Sequence, residues 1–462
     1  MGAFIGRQEE KDLINGILDR ENGAILIYGK RKVGKTTLIK EVLQSRQEKC
    51  VYYECLKNTM KENLDAFTRE LVRSRILPVF LSFQSFIDLF TYLNTIPEKL
   101  TVVIDEYPYL KQLTQPEIVD SSFQNIIDNH LGNIHLILSG SHIGMMKDMV
   151  AENNALYGRF QTVIHLKELD YHIAASFYQE KTSYEKIAFH SVFGGSPYVL
   201  EKLDPDKSLR ENVIRTILNP NSPVFLYVSF LLMSDYSNTI NAERIFSVLG
   251  NGRKRYRDIE NQMNANQTGN VLKQLKTLVR LELIKRAAPI NRLDDAKKTT
   301  YEINDNLMRF YFTYIYKNRS ALEMIGPESF YDEYIAPTIR DFISRRFEEI
   351  CRNYFSIRAK KGLLPGLRNI GSYYYDDSRT KTNGEFDVAL DYGGKFSIFE
   401  VKYLKNPMEP DEIHHELGQI RDIKGLEVFQ IGFISANGFT EQEEGILYYT
   451  GDDIYSAAGK GF

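Results

Sequence analysis

Residues 29–36 read GKRKVGKT and decide the fold of the first part of the chain. The stretch fits the pattern G-x-x-x-x-G-K-S/T without a mismatch. An apolar run of strand length, 24–28, precedes it, and 35–44 carries apolar residues at helical spacing. Strand, glycine loop and helix predict a concavity of backbone N–H groups at the positive end of a helix dipole, which suits a phosphate chain. The alternative is a glycine-rich turn with a solvated basic cluster.

The loop supplies two side chains with predicted roles. Lys35 is expected to reach the outer phosphates, and the Thr36 hydroxyl is expected to ligate Mg²⁺. Thr37 is expected to serve mainly as a residue of the helix. The predicted nucleotide-binding set is Gly29, Lys30, Arg31, Lys32, Val33, Gly34, Lys35, Thr36 and Thr37.

Length and composition restrict the class of protein. A chain of 462 residues is too long for one ordinary core and suggests about three domains. Hydrophobic residues make up 43%, charged residues 26%, and the formal net charge is -3, so overall charge does not mark a nucleic-acid binder. The cysteines, Cys50, Cys55 and Cys351, have no metal or disulfide spacing. Neither a signal sequence nor a membrane span is visible, so we expect a cytoplasmic protein without a membrane partner.

The first half of the chain alternates strands and helices. Strand patterns recur at 51–53, 101–104 and 135–138, with helical stretches between them. This alternation predicts a parallel sheet covered on both faces, and hence a multidomain α/β protein with its first domain at 1–167. Residues 168–238 lose the strand signal and predict a helical subdomain that lies over the first domain as a lid.

Residues 239–320 resemble a winged helix-turn-helix: three short helices, then two strands around a turn. Residues 241–320 carry 16 Lys and Arg against 8 Asp and Glu. Positive charge on one small module is typical of binding to a phosphate backbone, so we predict DNA as a partner. The alternative is a winged helix that contacts protein. The predicted helices are 244–249, 258–262 and 270–280, and the predicted wing strands are 283–286 and 299–303.

Residues 321–462 predict a small α+β domain. Its predicted helices are 341–355 and 411–422, and its predicted strands are 373–375, 385–390, 396–402 and 428–435.

Two carboxylates end the strand that begins at residue 101. At the carboxyl edge of a parallel sheet, Asp105 and Glu106 would lie beside the glycine loop. We expect Asp105 to hold Mg²⁺ and Glu106 to orient or deprotonate the attacking water. Ser139 ends the next strand and could sense the γ-phosphate, or belong to an ordinary turn. Arg159 could supply positive charge to the transition state, or be a surface residue.

Taken in order, six segments resemble the archaeal-type AAA ATPase family of P-loop NTPases, which is related to the signal-transducing STAND ATPases. The resemblance implies ATP as the nucleotide, an adenine pocket near 5–7, a sensor at Ser139 or Ser141, and a contribution from Pro197 in the helical lid. A homo-oligomer is possible. Whether Arg159 would act on the site of its own chain or on that of a neighbouring chain stays open. The segments are FIGRQEE, GKRKVGKT, VVIDEYPYL, LILSGSHIGMM, ALYGRF and FGGSPYVL.

A second constellation lies in the last domain. A hairpin would bring Asp387 beside Glu400, and the strand period of two puts Glu400 and Lys402 on one face. Two carboxylates on adjacent strands can hold Mg²⁺, which can activate water against a phosphodiester, with Lys402 positioning that water or neutralising charge. Alternating charges on a half-exposed hairpin would look the same.

Here the sequence resembles the PD-(D/E)XK restriction-endonuclease-like fold of the DUF234 type that is appended to archaeal-type ATPases. The resemblance implies a helix carboxylate, matching Glu348 or Glu349, and a supporting Gln419. Tyr373 to Tyr375 stands where relatives often carry tryptophan, a departure that bears on cleavage more than on fold.

The sequence leaves two functions open. In the first, the nucleotide state of an ATPase controls a DNA-binding winged helix and an Mg²⁺-dependent nuclease-like domain. In the second, the protein is a nucleotide-switched regulator whose last domain binds without cutting.

Overall fold

The computed structural model describes residues 4–232, 241–263, 270–377, 382–421 and 427–456. It divides into a first unit, Met1–Leu169 with Ser196–Tyr198, and a second unit, Asp170–Gly195 with Val199–Phe462. Within those described ranges, no helix has the length and apolar character needed to cross a bilayer. The finer division at residues 167, 238 and 320 stays a prediction.

A parallel sheet of five strands forms the centre of the first unit. Its strand order is β2-β3-β4-β1-β5, and every neighbouring pair is parallel. The three strand patterns that follow the glycine loop are confirmed, whereas β5 escaped prediction because it is only four residues long. The strands are β1 Gly23–Tyr28, β2 Lys49–Glu54, β3 Leu100–Asp105, β4 Ile134–Gly140 and β5 Thr162–His165.

Both faces of this sheet are buried. Ala24 and Leu26 of β1 belong to one apolar core, and Ile25 and Ile27 belong to the other. Successive strand residues point to opposite faces, so this division shows helices packed on both sides, as predicted for a parallel sheet. The helices of the unit are Gln8–Leu18, Lys35–Gln44, Met60–Arg73, Phe86–Leu93, Pro116–Asn129 and Ile143–Asp148, with a 3-10 turn at Tyr107–Lys111.

The second unit begins with helices, as the loss of strand signal predicts. Those before the basic module are Tyr171–Ala174, Ala175–Phe177 (3-10), Ser183–Phe193, Leu209–Thr216 and Pro223–Leu231, while the short helix Pro197–Leu200 spans the division between the units.

The described part of residues 241–303, which we call the basic module, contains three helices and a small antiparallel sheet. The helices are Ala242–Leu249, Tyr256–Met263 and Val271–Arg280, and the strands are β6 Lys254–Arg255, β7 Ile284–Ala287 and β8 Thr300–Ile303. The strand order is β6-β8-β7. This is the element order predicted for a winged helix, with β6 added to the two predicted wing strands.

A helical connection leads from the basic module to the last domain. It consists of Asn306–Phe310, the π-helical turn Tyr311–Ile315, the 3-10 turn Tyr316–Asn318, Arg319–Phe330, the π-helical turn Tyr331–Ile335 and the long helix Ile339–Lys360.

A mixed sheet in the order β13-β12-β11-β10-β9 forms the last domain. The pairs of β9 with β10 and of β10 with β11 are antiparallel, whereas β11, β12 and β13 run parallel. Four of these strands follow the predicted pattern. The strands are β9 Asn369–Asp377, β10 Thr382–Asp391, β11 Lys395–Lys402, β12 Glu427–Ser435 and β13 Leu447–Thr450, and the helices are Pro410–Arg421 and Gly451–Tyr455.

Candidate nucleotide site and carboxylate-lysine cluster

The glycine loop runs from the end of β1 into the helix Lys35–Gln44. A Cβ at Gly29 would lie 2.0 Å from the carbonyl oxygen of Leu166, so only glycine fits there. Gly34 has a φ of 97° and directly precedes the helix. These two glycines permit the tight backbone curl that a phosphate-binding loop requires.

Lys35 is 6% exposed and folds back over the loop. Its ammonium donates hydrogen bonds to the carbonyl oxygens of Gly29 at 2.9 Å and Lys30 at 3.1 Å. The buried cation therefore lies inside the concavity where the sequence predicts phosphates.

The end of β3 meets the start of the helix that follows the loop. The Thr36 hydroxyl donates to Asp105 Oδ2 at 2.9 Å. The Tyr52 hydroxyl, from the neighbouring β2, donates a hydrogen bond to the same oxygen. Burial, and then the negative charge of Asp105, raises the pKa of Tyr52. Sequence reasoning found Thr36 and Asp105 but missed Tyr52.

Glu106 follows Asp105 in a left-handed conformation with a φ of 50°. Its carboxylate accepts hydrogen bonds from the Ser141 hydroxyl at 2.8 Å and the Ser141 N–H at 3.2 Å. Ser139 is instead fully buried in β4, and its hydroxyl has no hydrogen-bond partner in the described chain. Of the two serines that the resemblance offered as sensors, Ser141 is the one in contact with Glu106.

Residues far from the loop in sequence also contact it. Arg7 donates to the carbonyl oxygen of Val33 at 3.3 Å, and Ser196 donates to that of Lys32 at 3.2 Å. The ammonium of Lys32 lies 4.7 Å from the centre of the Tyr198 ring. The segments that the resemblance connects with adenine and with Pro197 are thus both brought to the loop.

Arg159 forms an ion pair on the surface of the first unit. Its guanidinium contacts Asp128 at 3.0 Å and the carbonyl oxygen of Tyr157 at 3.0 Å. Within the described residues, Arg159 makes no hydrogen bond or ion pair with the loop, Asp105 or Glu106. The transition-state role of Arg159 stays a prediction.

In the last domain, β10 and β11 bring the second constellation together. Val388 pairs with Phe399, and the Val401 N–H donates to Asp387 Oδ2 at 3.0 Å. Lys402 donates to Glu400 at 3.1 Å and to Glu416 at 2.8 Å. Sequence reasoning missed Glu416, which lies on the helix Pro410–Arg421, and placed its supporting residue three positions later at Gln419, whose side chain is outside the described part.

The two adjacent helix carboxylates point to different cations. Glu348 lies 3.7 Å from Arg352 and 4.0 Å from Arg253. Glu349 forms an ion pair with Lys285 of β7. Glu348 lines the same cavity as Asp387, whereas Glu349 does not, so we group Glu348 with Asp387, Glu400, Glu416 and Lys402 as the carboxylate-lysine cluster.

Burial and mutual repulsion shift the pKa values in this cluster. Burial raises the pKa of Asp387 well above its usual value, and the charges of Glu400 and Glu348 raise it further. Burial also raises the pKa of Glu400 to about 7, although Lys402 opposes the change. Burial lowers the pKa of Lys402, but the negative charges of Glu400 and Glu416 outweigh this effect, so the pKa is raised. Shifted carboxylates beside a lysine are a common sign of a functional site.

The carboxylates of the cluster carry the oxygen donors that Mg²⁺ prefers. In the part of the chain that the structure describes, however, no three His, Cys, Asp or Glu side chains are grouped as a metal site requires. Arg253, Arg352 and Lys402 contact these carboxylates instead. Carboxylate oxygens suit Mg²⁺, but the described residues do not group enough of them to hold the ion, and cations of the protein take up much of their negative charge.

The basic module contacts the last domain through the loop between β7 and β8, the segment predicted to be a wing. The Ile290 N–H donates to the Ser372 carbonyl at 2.8 Å, and the Asn291 amide donates to that of Tyr374 at 2.8 Å. Lys298 lies 3.6 Å from the centre of the Tyr374 ring. The wing thus covers the edge strand β9. Lys273 and Lys276 of the third helix are exposed.

Comparison with known proteins identifies two regions. Residues 4–203 match a family of ATPase domains predominantly from Archaea. Residues 311–414 match the DUF234 family, described as archaeal and bacterial proteins of unknown function. An uncharacterized protein of Methanocaldococcus jannaschii is 29% identical over 438 residues, which cover 92% of this chain and 94% of that protein.

One solved structure supports the fold. A Walker-type ATPase of Pyrococcus abyssi aligns with a TM-score of 0.50 and 16% identity, covering 67% of this chain and 96% of that one. The Aeropyrum pernix ORC2 protein, solved in ADPNP-ADP complexes, aligns more weakly, with a TM-score of 0.46 and 13% identity over 69% of this chain and 95% of that one. The chain therefore carries, at residues 4–203, the ATPase domain of the predominantly archaeal family and, at residues 311–414, a DUF234 domain, as the resemblance in the sequence implies.

Proposed function

We propose that the first unit binds ATP at residues 29–37 and hydrolyses it. The observation that supports this most directly is the contact between Thr36 and Asp105, which lie 69 residues apart in the sequence. It brings the loop hydroxyl to the strand carboxylate, and the buried Lys35 directly precedes Thr36 in the sequence. Phosphoryl transfer depends mainly on such positioning of charge.

Thr36 and Asp105 are the residues that would hold Mg²⁺, since both offer oxygen donors next to the phosphate loop. When bound, the ion supplies positive charge against the phosphate oxygens. Lys35 would exchange the carbonyls of Gly29 and Lys30 for the outer phosphates.

Glu106 is the residue proposed to orient the attacking water. Its hydrogen bonds from Ser141 fix the carboxylate in direction, so Ser141 is a positioning residue for Glu106. We favour Ser141 over Ser139 as the sensor because Ser139 has no exposed surface. For Arg159 to act on the transition state, it would first have to leave Asp128.

DNA is the partner proposed for the basic module. Its wing lies on β9, so the surface offered to a phosphate backbone is the third helix, through Lys273 and Lys276. Lysines contact phosphates without reading sequence, so this proposal concerns affinity and not specificity.

For the last domain we propose Mg²⁺-dependent cleavage of a phosphodiester. Asp387, Glu400 and Glu348 are the carboxylates that would have to come together to hold the ion, which would supply the activation of water. Lys402, placed by Glu400 and Glu416, would neutralise charge that develops on the phosphate.

A non-cleaving regulator is the second candidate function. The observation that favours it is the occupation of the carboxylates by Arg253, Arg352 and Lys402. In this case the nucleotide state of the first unit would control binding alone.

One experiment separates the two functions. Purified full-length protein is incubated with Mg²⁺, ATP and a panel of single-stranded, duplex and branched DNA, beside the Asp387→Ala and Lys35→Ala variants. We expect cleavage by the wild type, none by Asp387→Ala, and altered cleavage by Lys35→Ala. Cleavage that persists in Asp387→Ala would remove the assigned site, and binding without cleavage in the wild type would establish the regulator.

A further inference from the structure

Two adjoining cavities of the second unit meet at residues 250–252, the loop after the first helix of the basic module. Their volumes are about 290 Å³ and about 250 Å³, and Arg309, Arg345 and Arg346 line both of them. The larger cavity also borders carboxylates of the last domain. The smaller one, which we call the arginine pocket, is lined by one carboxylate among the described residues, that of Asp341. Three cations against one carboxylate favour an anionic ligand in the arginine pocket.

Arg345 is the cation of this pocket that no carboxylate balances. Its side chain is exposed, and it forms no ion pair with any described residue. The guanidinium lies beside the loop, since a Cβ at Gly252 would lie 3.0 Å from Arg345 Nη1. The planar fork of donors on Arg345 therefore stays available for an anion that accepts two parallel hydrogen bonds, as phosphate does.

Arg309 and Arg346 lie deeper in the wall of the pocket, where they are 4% and 5% exposed. Both contact Glu302, at 3.4 Å and 3.5 Å, and Arg309 also lies 3.8 Å from Glu349. The same two carboxylates also pair with Lys285, so three cations share two negative charges. The Nε atoms of both arginines have no hydrogen-bond partner among the described residues. The positive charge behind the pocket is therefore incompletely neutralised.

Two glycines shape the loop that separates the cavities. A Cβ at Gly250 would lie 2.4 Å from the carbonyl oxygen of Phe312, so only glycine fits against the π-helical turn Tyr311–Ile315. Gly252 has a φ of 100°, which also favours glycine. The π-helical turn places Thr313 on the wall of the pocket, and such turns are frequent at functional sites. The pocket is thus formed by backbone features that a side chain would disturb.

The long helix Ile339–Lys360 begins at the arginine pocket. Its N-cap residue, Thr338, lines the pocket, but the side chain of Thr338 makes no capping hydrogen bond. The free N–H groups of the first turn carry the positive end of the helix dipole, which adds to the attraction of the arginines for an anion. The rings of Tyr314 and Phe342 line the same pocket and offer an organic group an aromatic wall.

We propose that the arginine pocket binds a phosphate monoester carried by a nucleoside, and that Arg345 is the main ligand of the phosphate. A volume of about 250 Å³ lies just below the usual range of small-ligand pockets, so it suits a single nucleotide and excludes a duplex. A free mononucleotide and the phosphorylated end of a strand present the same group. The inference depends neither on the ATPase activity nor on the cleavage proposed above.

Isothermal titration calorimetry of the full chain tests the proposal. All proteins carry Lys35→Ala, which removes the nucleotide site proposed for the first unit. The probes are AMP, adenosine, and a trinucleotide with and without a 5′-phosphate. The variants are Arg345→Gln, Arg345→Glu and the matched control Arg340→Gln, which alters an exposed arginine of the same helix that lines neither cavity. Because Arg345 is exposed and forms no ion pair, both of its variants should fold, and thermal unfolding checks this.

We expect AMP to bind the Lys35→Ala protein and adenosine not to bind it, because the phosphate supplies the charge. Arg345→Gln should weaken AMP binding at least about tenfold, since it removes hydrogen bonds to a charged group. Arg345→Glu should abolish binding, and Arg340→Gln should leave it unchanged. Binding of the phosphorylated trinucleotide alone, with the same dependence on Arg345, would support the site and identify a strand end as its ligand. Equal affinities of Arg345→Gln and Arg340→Gln, or a failure of both phosphorylated probes to bind, would overturn the site.

Discussion

The hydroxyl of Thr36 donates a hydrogen bond of 2.9 Å to the carboxylate of Asp105. Both groups are proposed to hold Mg²⁺, so Thr36→Ala removes one oxygen donor and should raise the Mg²⁺ concentration that gives half-maximal ATPase activity by about tenfold, or ~1.4 kcal/mol. Titration of activity with Mg²⁺ at saturating ATP measures this. Thr95→Ala, at an exposed threonine bonded to the carbonyl of Tyr92, is the control. An unchanged titration would exclude Thr36 as a ligand.

Lys35→Ala should abolish tight ATP binding. The ammonium is buried in the loop, and a hydrogen bond to a charged group contributes about 2 kcal/mol, so affinity should fall at least about 30-fold. Equilibrium binding of a fluorescent ATP analogue measures the loss. Lys99→Ala, at an exposed lysine that donates to the carbonyl of Arg20, should bind as the wild type does. Similar affinities for both variants would contradict the proposed role of Lys35.

Glu106→Gln should bind ATP normally and hydrolyse it roughly 100-fold more slowly or worse, because the amide keeps the shape of the side chain but cannot accept a proton. Ser141→Ala should lower kcat by a smaller factor and leave KM unchanged, since it only releases Glu106 from its 2.8 Å hydrogen bond. Single-turnover hydrolysis separates binding from chemistry. Turnover of Glu106→Gln at the wild-type rate would remove Glu106 from the mechanism.

The features of the fold that depend on local pattern could be predicted from the sequence. The helix Lys35–Gln44 has both of its predicted bounds, because the glycine loop begins it and the apolar spacing continues through it. The meeting of Thr36 and Asp105 also followed, since the carboxyl ends of parallel strands share one edge of a sheet.

Contacts between distant elements could not be predicted in this way. Tyr52 reaches Asp105 from a neighbouring strand, Glu416 reaches Lys402 from a helix, and Arg253 reaches Glu348 from another module. Tyr52, Glu416 and Arg253 belong to no sequence motif. Tertiary packing, and not spacing along the chain, determines which residues they contact. The excess of positive charge at 241–320 was visible in the sequence, but its partial neutralisation by carboxylates of the same chain was not.

Glu302→Gln should destabilise the second unit by about 3 to 5 kcal/mol, because it leaves buried Arg309 and Arg346 without their shared anion. Denaturant unfolding measures this loss, with Glu333→Gln, at an exposed position, as the control. Unchanged unfolding of Glu302→Gln would show that the four cations need no central anion.

The same carboxylate predicts a pH dependence. Burial raises the pKa of Glu302, but Arg309, Lys285 and Arg253 outweigh it and lower the pKa to about 2. Because the pKa of Glu302 is lower in the folded protein than its unfolded-state value of 4.5, its ionisation stabilises the fold. This contribution to the free energy of unfolding is about 3 kcal/mol, is fully present above pH 4.5 and is lost as the pH falls toward 2. Unfolding free energies measured between pH 5 and about pH 3 should therefore fall less steeply in Glu302→Gln than in the wild type. Parallel curves would contradict this assignment.

The salt dependence of DNA affinity tests the surface proposed for the basic module. Each phosphate contact contributes about -0.9 to the slope of the logarithm of the DNA affinity against the logarithm of the salt concentration. The double variant Lys273→Ala, Lys276→Ala should therefore reduce the magnitude of this slope by roughly 2. Lys298→Ala, whose ammonium lies on the Tyr374 ring, should keep the wild-type slope. Fluorescence anisotropy at several salt concentrations gives the slopes. A wild-type affinity that does not depend on salt would contradict phosphate binding altogether. If only Lys298→Ala lowered the salt slope, the phosphate contact would lie on the wing and not on the third helix. The wing would then have to leave β9.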